Sequence, residues 1–180
     1  MVICYEGNVH VGKTTLIKEF LKKNSNYTFI EESIFKPLLS PYNRQLDYIE
    51  QECEKIKRLK ENTILDRSIL SVFVYTCLTD TLSKKEKEKL IALIKQKIEN
   101  KEIIIPDKLY LVVRPYEVVK ENQLKLKQIK NTQEAIALEK YFNSYNNFFL
   151  KYSLNKTSNL DQDIYEIDTK IYKNLDFFGF

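Results

Sequence analysis

The chain has 180 residues, of which 43% are hydrophobic and 30% charged, and its 29 basic and 25 acidic side chains leave a formal net charge of +4. That length and balance predict one soluble globular domain over residues 1–180, and so mild a charge gives no ground for nucleic-acid binding. Three widely spaced cysteines and one histidine predict buried thiols in a reducing compartment, not disulfides or a zinc site.

Val2 to Tyr5 is an apolar run that reads as a buried strand, and Thr15 to Leu21 has the spacing of an amphipathic helix. Between them lies Gly7-x4-Gly12-Lys13-Thr14, the P-loop pattern. Gly7, Asn8, Val9, His10, Val11, Gly12, Lys13, Thr14 and Thr15 are therefore predicted to wrap backbone N–H groups around the phosphates of a nucleotide. Glycine is needed where the backbone comes too close to a phosphate for a Cβ, and this chain has three glycines, two of them Gly7 and Gly12. Lys13 would supply positive charge to the β/γ-phosphates and the Thr14 hydroxyl would ligate Mg²⁺. His10 is expected to pack within the loop or face solvent.

Asn24-Ser25-Asn26 is a turn cluster, and Tyr27 to Ile30 reads as a second strand running into Glu31-Glu32. Pro37 and Pro41 punctuate a loop, and helical spacing follows from about Asn43 to Lys60. Thr63 to Leu65 is a short strand ending in Asp66-Arg67-Ser68, followed by an apolar helix, Ile69 to Leu78, too short to span a bilayer. A lysine-rich helix from about Lys84 to Asn100 turns Leu90, Ile91, Leu93, Ile94 and Ile98 inward. Lys108 to Val113 is a strand ended by Arg114-Pro115, with a helix starting near Tyr116. A lysine-rich stretch to Lys130 leads into a helix from about Gln133 to Tyr152. Past a polar connection at Asn155 to Asn159, the last strand, Ile164 to Ile167, ends at Asp168. This alternation predicts an α/β fold, a parallel sheet of about five strands flanked by helices on both faces. Ligands of such sheets bind beyond the carboxyl ends of the strands. The P-loop, Glu31, Glu32, Asp66, Arg67, Arg114 and Asp168 are thus predicted to share one site.

Phosphoryl transfer needs a phosphate cradle, Mg²⁺ ligands, added positive charge and a group that orients the acceptor. The P-loop is the cradle, and Asp66 can hold Mg²⁺ directly or through water. Arg67 can bind an acceptor phosphate or stabilise the transferring group. The chain has only four arginines, so one at a strand end suggests a need for a planar, bidentate donor. The bland alternative is a helix N-cap with a surface arginine. Glu31 or Glu32 could serve as general base, pairing of the two carboxylates tending to raise one pKa; otherwise they are a solvated loop pair.

Glu6-Gly7-Asn8-Val9-x-x-Gly12-Lys13 resembles the Glu-Gly-Asn-Ile-Gly-Ser-Gly-Lys loop of deoxynucleoside kinases. Ile30-Glu31-Glu32-Ser33-Ile34 is similar to their Pro-Glu-Pro-Val segment, and that register places the family's general base at Glu32. Asp66-Arg67-Ser68-x-x-Ser71 resembles their Glu-Arg-Ser motif, and also the Asp-Arg-Tyr-x-x-Ser-Ser-x-x-Tyr of thymidylate kinases, with Tyr75 in the matching place. Glu134-x-Ile136-x-Leu138 with Tyr145 looks like the helix after the family's lid. The resemblance implies a three-layer P-loop kinase fold, a lid around residues 120–132, ATP and Mg²⁺ as cofactors, and the 5′-hydroxyl of a deoxynucleoside as acceptor. Lys13, Glu32 and Arg67 would be catalytic, Thr14 and Asp66 would hold the metal, and Gln45, Glu31 and Arg114 would contact the acceptor. Read by spacing alone, Gln45 is an exposed helical residue. Where the family's lid has arginines, this chain offers Lys120, Lys125, Lys127 and Lys130, and lysine cannot make the bidentate fork.

Two other readings stay open. The aspartate before Arg67 leans toward a nucleoside-monophosphate kinase of thymidylate type, with Arg67 gripping the acceptor phosphate. A nucleotide-binding regulatory module without kinase activity is the other, although the chain lacks the Asn/Thr-Lys-x-Asp guanine-reading motif of GTPases. No basic-then-apolar leader precedes the first strand, so a cytoplasmic location without membrane partners is expected, and the resemblance is compatible with a homodimer.

Overall fold

The computed structural model describes residues 1–125, 132–159 and 162–175. In chain order its main elements are β1 (Val2–Glu6), α1 (Lys13–Lys23), β2 (Thr28–Ile30), α2 (Pro41–Glu54), β3 (Thr63–Asp66) and α3 (Ile69–Leu78). They continue with α4 (Lys84–Glu99), β4 (Lys108–Val113), α5 (Tyr116–Lys125), α6 (Thr132–Leu150), β5 (Ser153–Asn159) and β6 (Gln162–Ile167). A single 3-10 turn, Lys55–Arg58, extends α2. Among the described residues the strands form one six-stranded sheet in the order β2-β3-β1-β4-β6-β5.

The four strands β2, β3, β1 and β4 are parallel, as the apolar runs and intervening helices require. The sheet then departs from the expected all-parallel arrangement. β6 pairs antiparallel with β4, and β5 antiparallel with β6 at the edge. β5 falls across the expected polar connection because its residues are exposed and polar, as an edge strand's can be, and carry no apolar run. The reversal moves one residue: Ile167 pairs with Leu109, at the start of β4, so Asp168 lies at the far end of the sheet from the P-loop. There its side chain caps the turn Thr169–Lys173 by accepting from Lys170 N.

Side-chain alternation along the strands divides the core. Ile3 and Ile64 pack with Ile17 of α1 on one face. Cys4, Leu65, Leu109 and Leu111 face the other way and join a larger cluster with α3, α4 and α6. α3 is the central helix of that layer, with Leu70, Phe73 and Cys77 buried. Its N-terminus is capped by Ser68, whose hydroxyl accepts from Leu70 N at 3.2 Å. α2 starts on Ser40 and Pro41, a cap and a residue whose fixed φ suits the first helical position. α4 carries a full capping box between Ser83 and Glu86. No helix among the described residues is long and apolar enough to cross a membrane.

Candidate active site

The turn from β1 into α1 shows why both glycines are where they are. Gly7 has φ 146° and Gly12 φ 92°. A Cβ on Gly7 would sit 2.6 Å from the Val112 carbonyl oxygen, and one on Gly12 would collide with the Gln162 amide. His10 also takes a left-handed conformation, φ 61°, at the loop apex. Val11 is buried against Val112, Tyr116 and Phe142, so it anchors the loop, whereas Val9 is half exposed beside the cavity described below. Thr14 and Thr15 are exposed on the first turn of α1. Lys13 is buried, and its Nζ donates to the Gly7 and Asn8 carbonyl oxygens at 3.1 Å each. Burial, with the Arg67 charge adding to it, pulls its pKa down to about 8, so an anion in the loop would be strongly favoured.

Asp66 ends β3 beside Thr14, whose Oγ1 donates to Asp66 Oδ2 at 3.1 Å. The other oxygen, Oδ1, is buried and has no hydrogen-bond partner among the described residues. Burial raises the Asp66 pKa, and Lys13 opposes that rise. A hydroxyl and an unpaired carboxylate oxygen next to a phosphate cradle are the donor set that Mg²⁺ takes when a nucleotide supplies the remaining oxygens. Thr14 and Asp66 thus fit the metal.

Arg67 follows with φ 63°, left-handed and rare for a side chain of its size. Its amide donates to the Tyr5 carbonyl at 2.9 Å, and its Nε lies 3.2 Å from Glu32 Oε2. Glu32 and Arg67 stand together on the wall of a cavity of about 750 Å³, with Asn8 and Val9 of the P-loop at the same margin. Gln45, Tyr48, Val72 and Tyr75 from α2 and α3 line one side, and Tyr116, Gln123, Tyr141 and Phe142 from α5 and α6 the other. Gln45, which spacing put on an exposed face, is 2% exposed and accepts from Thr76 Oγ1 at 3.5 Å. Glu31 is exposed and is not part of the cavity lining. Arg114 lies instead against the donor loop, its Nη2 3.4 Å from where a Gly12 Cβ would be. Lys125 is exposed at the end of α5, and Lys127 and Lys130 fall outside the described residues.

Several residues that hold this site together gave little sign in the sequence. Glu6 is fully buried, accepting at Oε1 from Ser68 N (2.7 Å) and Ser68 Oγ (2.6 Å) and at Oε2 from Ser71 Oγ (2.6 Å) and Tyr145 OH (2.9 Å). Asn8 Nδ2 reaches Asn146 Oδ1 on α6 at 3.1 Å. Gln162 Nε2 donates to the Val11 carbonyl at 2.6 Å, a contact made possible only by the antiparallel course of β6. A spacing rule sees none of these, because each joins positions more than sixty residues apart.

No protein-family model and no curated protein sequence matches the chain significantly. Solved structures do. Deoxyadenosine kinase from M. mycoides with bound dATP superposes with a TM-score of 0.66 at 18% identity, covering 84% of this chain and 85% of that one. Thymidylate kinase from Candida albicans gives 0.54 at 18% identity over 86% and 77% of the two chains. The YorR protein of Bacillus subtilis, in complex with phosphorylated GDP, gives 0.53 at 19% identity over 86% and 82%. The fold is the P-loop kinase fold. Within it the described arrangement puts the loop Gly7 to Thr15, the Thr14–Asp66 pair and the Glu32–Arg67 pair around the carboxyl ends of β1, β2 and β3, the end at which open α/β sheets bind ligands.

Proposed function

We propose that this chain is an ATP- and Mg²⁺-dependent kinase that phosphorylates the 5′-hydroxyl of a deoxynucleoside, acting as a soluble, cytoplasmic enzyme. The observation that carries the reading is the Glu32–Arg67 pair, 3.2 Å apart, where the P-loop margin meets a cavity of about 750 Å³, large enough for a nucleoside. The loop amides and Lys13 hold the phosphates of ATP. Thr14 and Asp66 would hold Mg²⁺, which when bound neutralises charge on the β- and γ-phosphate oxygens. Glu32 accepts the proton of the acceptor hydroxyl as that oxygen attacks the γ-phosphorus, and the bond from the γ-phosphorus to the bridging oxygen breaks with ADP leaving. Arg67, fixed by its backbone, stabilises negative charge on the transferring group.

The same pair favours a hydroxyl acceptor over a monophosphate. Arg67 already faces the Glu32 carboxylate, and Arg44, the other arginine on the lining, donates to the Leu39 carbonyl and stacks over Phe35. An acceptor phosphate would have to share Arg67 with the Glu32 carboxylate, like charge against like.

Common deoxynucleosides and their monophosphates are incubated with ATP and Mg²⁺, and phosphorylated products are counted. Deoxynucleoside turnover is expected. Glu32→Gln should lower kcat by about 10²–10⁴-fold with ATP affinity unchanged. Lys13→Ala should abolish transfer. Turnover of monophosphates alone would replace the nucleoside reading by the nucleotide one, and tight ATP binding without any transfer would leave a regulatory module.

A further inference from the structure

A second charged pair lies buried behind Glu32 and Arg67. Glu52, near the end of α2, and Lys55, in the turn that follows, are 4% and 1% exposed, with Oε1 and Nζ 2.7 Å apart. Burying two charges is not a stabilising device by default. The desolvation of both offsets their attraction, and well-packed apolar side chains of the same volume often do as well or better. What sets this pair apart is where its other hydrogen bonds go.

Ser33 Oγ donates to Glu52 Oε1 at 2.8 Å, and Ser33 is the residue after Glu32. Lys55 Nζ donates to the backbone carbonyl of Arg67 at 3.3 Å. Arg67 has the left-handed φ of 63°, a conformation that persists in a large side chain only where the surroundings impose it. Here they do so from both sides, the amide held by Tyr5 O and the carbonyl by Lys55. One ion pair thus touches both chain segments that meet at the margin of the cavity. The segments come from different strands, β2 and β3, and their side chains face each other across 3.2 Å.

We propose that Glu52 and Lys55 are positioning residues, a buried ion pair that fixes the separation of Glu32 and Arg67 by holding Ser33 on one side and the Arg67 carbonyl on the other. The assignment rests on the roles given to Glu32 and Arg67 above. Neither Glu52 nor Lys55 moves a proton or binds a phosphate; they keep the base and the cation in the geometry that transfer needs.

The test uses the full chain. Lys55→Met, Glu52→Gln and Ser33→Ala are each made alone and on a Glu32→Gln background. Ser33→Ala leaves the ion pair intact and serves where a charge-removing variant fails to fold. Displacing a reacting group by about 1 Å costs on the order of 10²-fold, so Lys55→Met and Glu52→Gln should lower kcat for the deoxynucleoside by about 10–100-fold, with KM for ATP unchanged. Because the separation of Glu32 and Arg67 matters less once Glu32 is already glutamine, the same substitutions should cost clearly less in that background, the remaining loss passing through Arg67. Equal losses in both backgrounds would show that the pair does not act by setting Glu32 against Arg67. A rise in KM for the deoxynucleoside with kcat intact would make Glu52 a direct ligand. Either result overturns the proposal, as does full activity in a folded Lys55→Met.

Amide hydrogen exchange gives a readout independent of activity. Lys55→Met should speed exchange at Arg67, whose carbonyl loses its partner, while the amides between β1 and β3 keep their protection. Unchanged exchange at Arg67 would defeat the clamp. If the wild-type chain phosphorylated no nucleoside, the kinase reading would fall, and the exchange result would still decide whether the ion pair holds the Arg67 segment.

Discussion

Glu6 ends β1 with four nitrogen or oxygen donors around one carboxylate, the Ser68 amide and the hydroxyls of Ser68, Ser71 and Tyr145. Ser71 Oγ and Tyr145 OH are themselves 2.7 Å apart, so two protons serve three contacts and the group behaves as a shared network. Its partners lie 62, 65 and 139 residues away, which is why the sequence showed Glu6 only as a letter of the loop motif and not as the centre of the site. Glu6→Leu would leave the Ser68 amide and the hydroxyls without their acceptor, at about 1–3 kcal/mol for each buried group left unsatisfied. We therefore expect urea denaturation to show a loss of about 3 kcal/mol or more for Glu6→Leu. Tyr145→Phe removes one donor while Ser71 still supplies Oε2, and its loss should be nearer 1 kcal/mol. Equal losses would mean that the tyrosine, not the carboxylate, organises the cluster.

At the scale of elements, the P-loop is held from below by strands that sequence pattern read unequally well. β1, β3 and β4 are apolar and buried on both faces, and their run lengths announced them. β5 and β6 carry polar or half-buried residues, and strand direction has no signature in residue type. The hairpin matters because it brings Gln162 under Val11, with the amide so close to Gly12 that no side chain fits there. Gln162→Ala should loosen the loop without touching the phosphate ligands. The expected result is a rise of about 3–10-fold in the dissociation constant for ATP, the loss of one hydrogen bond of about 1 kcal/mol, with kcat at saturation nearly unchanged. Gly12→Ala should be far worse, since it combines a φ of 92° with the collision against Gln162. Calorimetric titration with ATP separates the two. If both variants bound ATP as the wild type does, the hairpin would have no part in shaping the loop.

Over the whole molecule, the P-loop and the cavity meet at Glu32 and Arg67, so on the proposed function occupancy of either by its ligand should be felt in the stability of the fold. A ligand that binds only the native state at about 100 times its dissociation constant adds about 2.7 kcal/mol. For a chain of this length that is a rise in Tm of roughly 5–10 °C. ATP with Mg²⁺ should produce such a shift. Asp66→Asn should keep the response to ATP but lose the extra shift that Mg²⁺ brings, because the carboxylate charge beside the unpaired oxygen that fits the metal is gone. A deoxynucleoside should add its own shift, and its monophosphate should add less, since Arg67 is engaged by Glu32. Neutralising that carboxylate frees the guanidinium, so in Glu32→Gln the order should reverse: the monophosphate gains stabilising power while the deoxynucleoside loses transfer but not binding. Thermal denaturation of the two proteins with each ligand reads this directly. A monophosphate that outranks the deoxynucleoside in the wild type, with no further gain in Glu32→Gln, would show that Arg67 is available to an acceptor phosphate in spite of its partner.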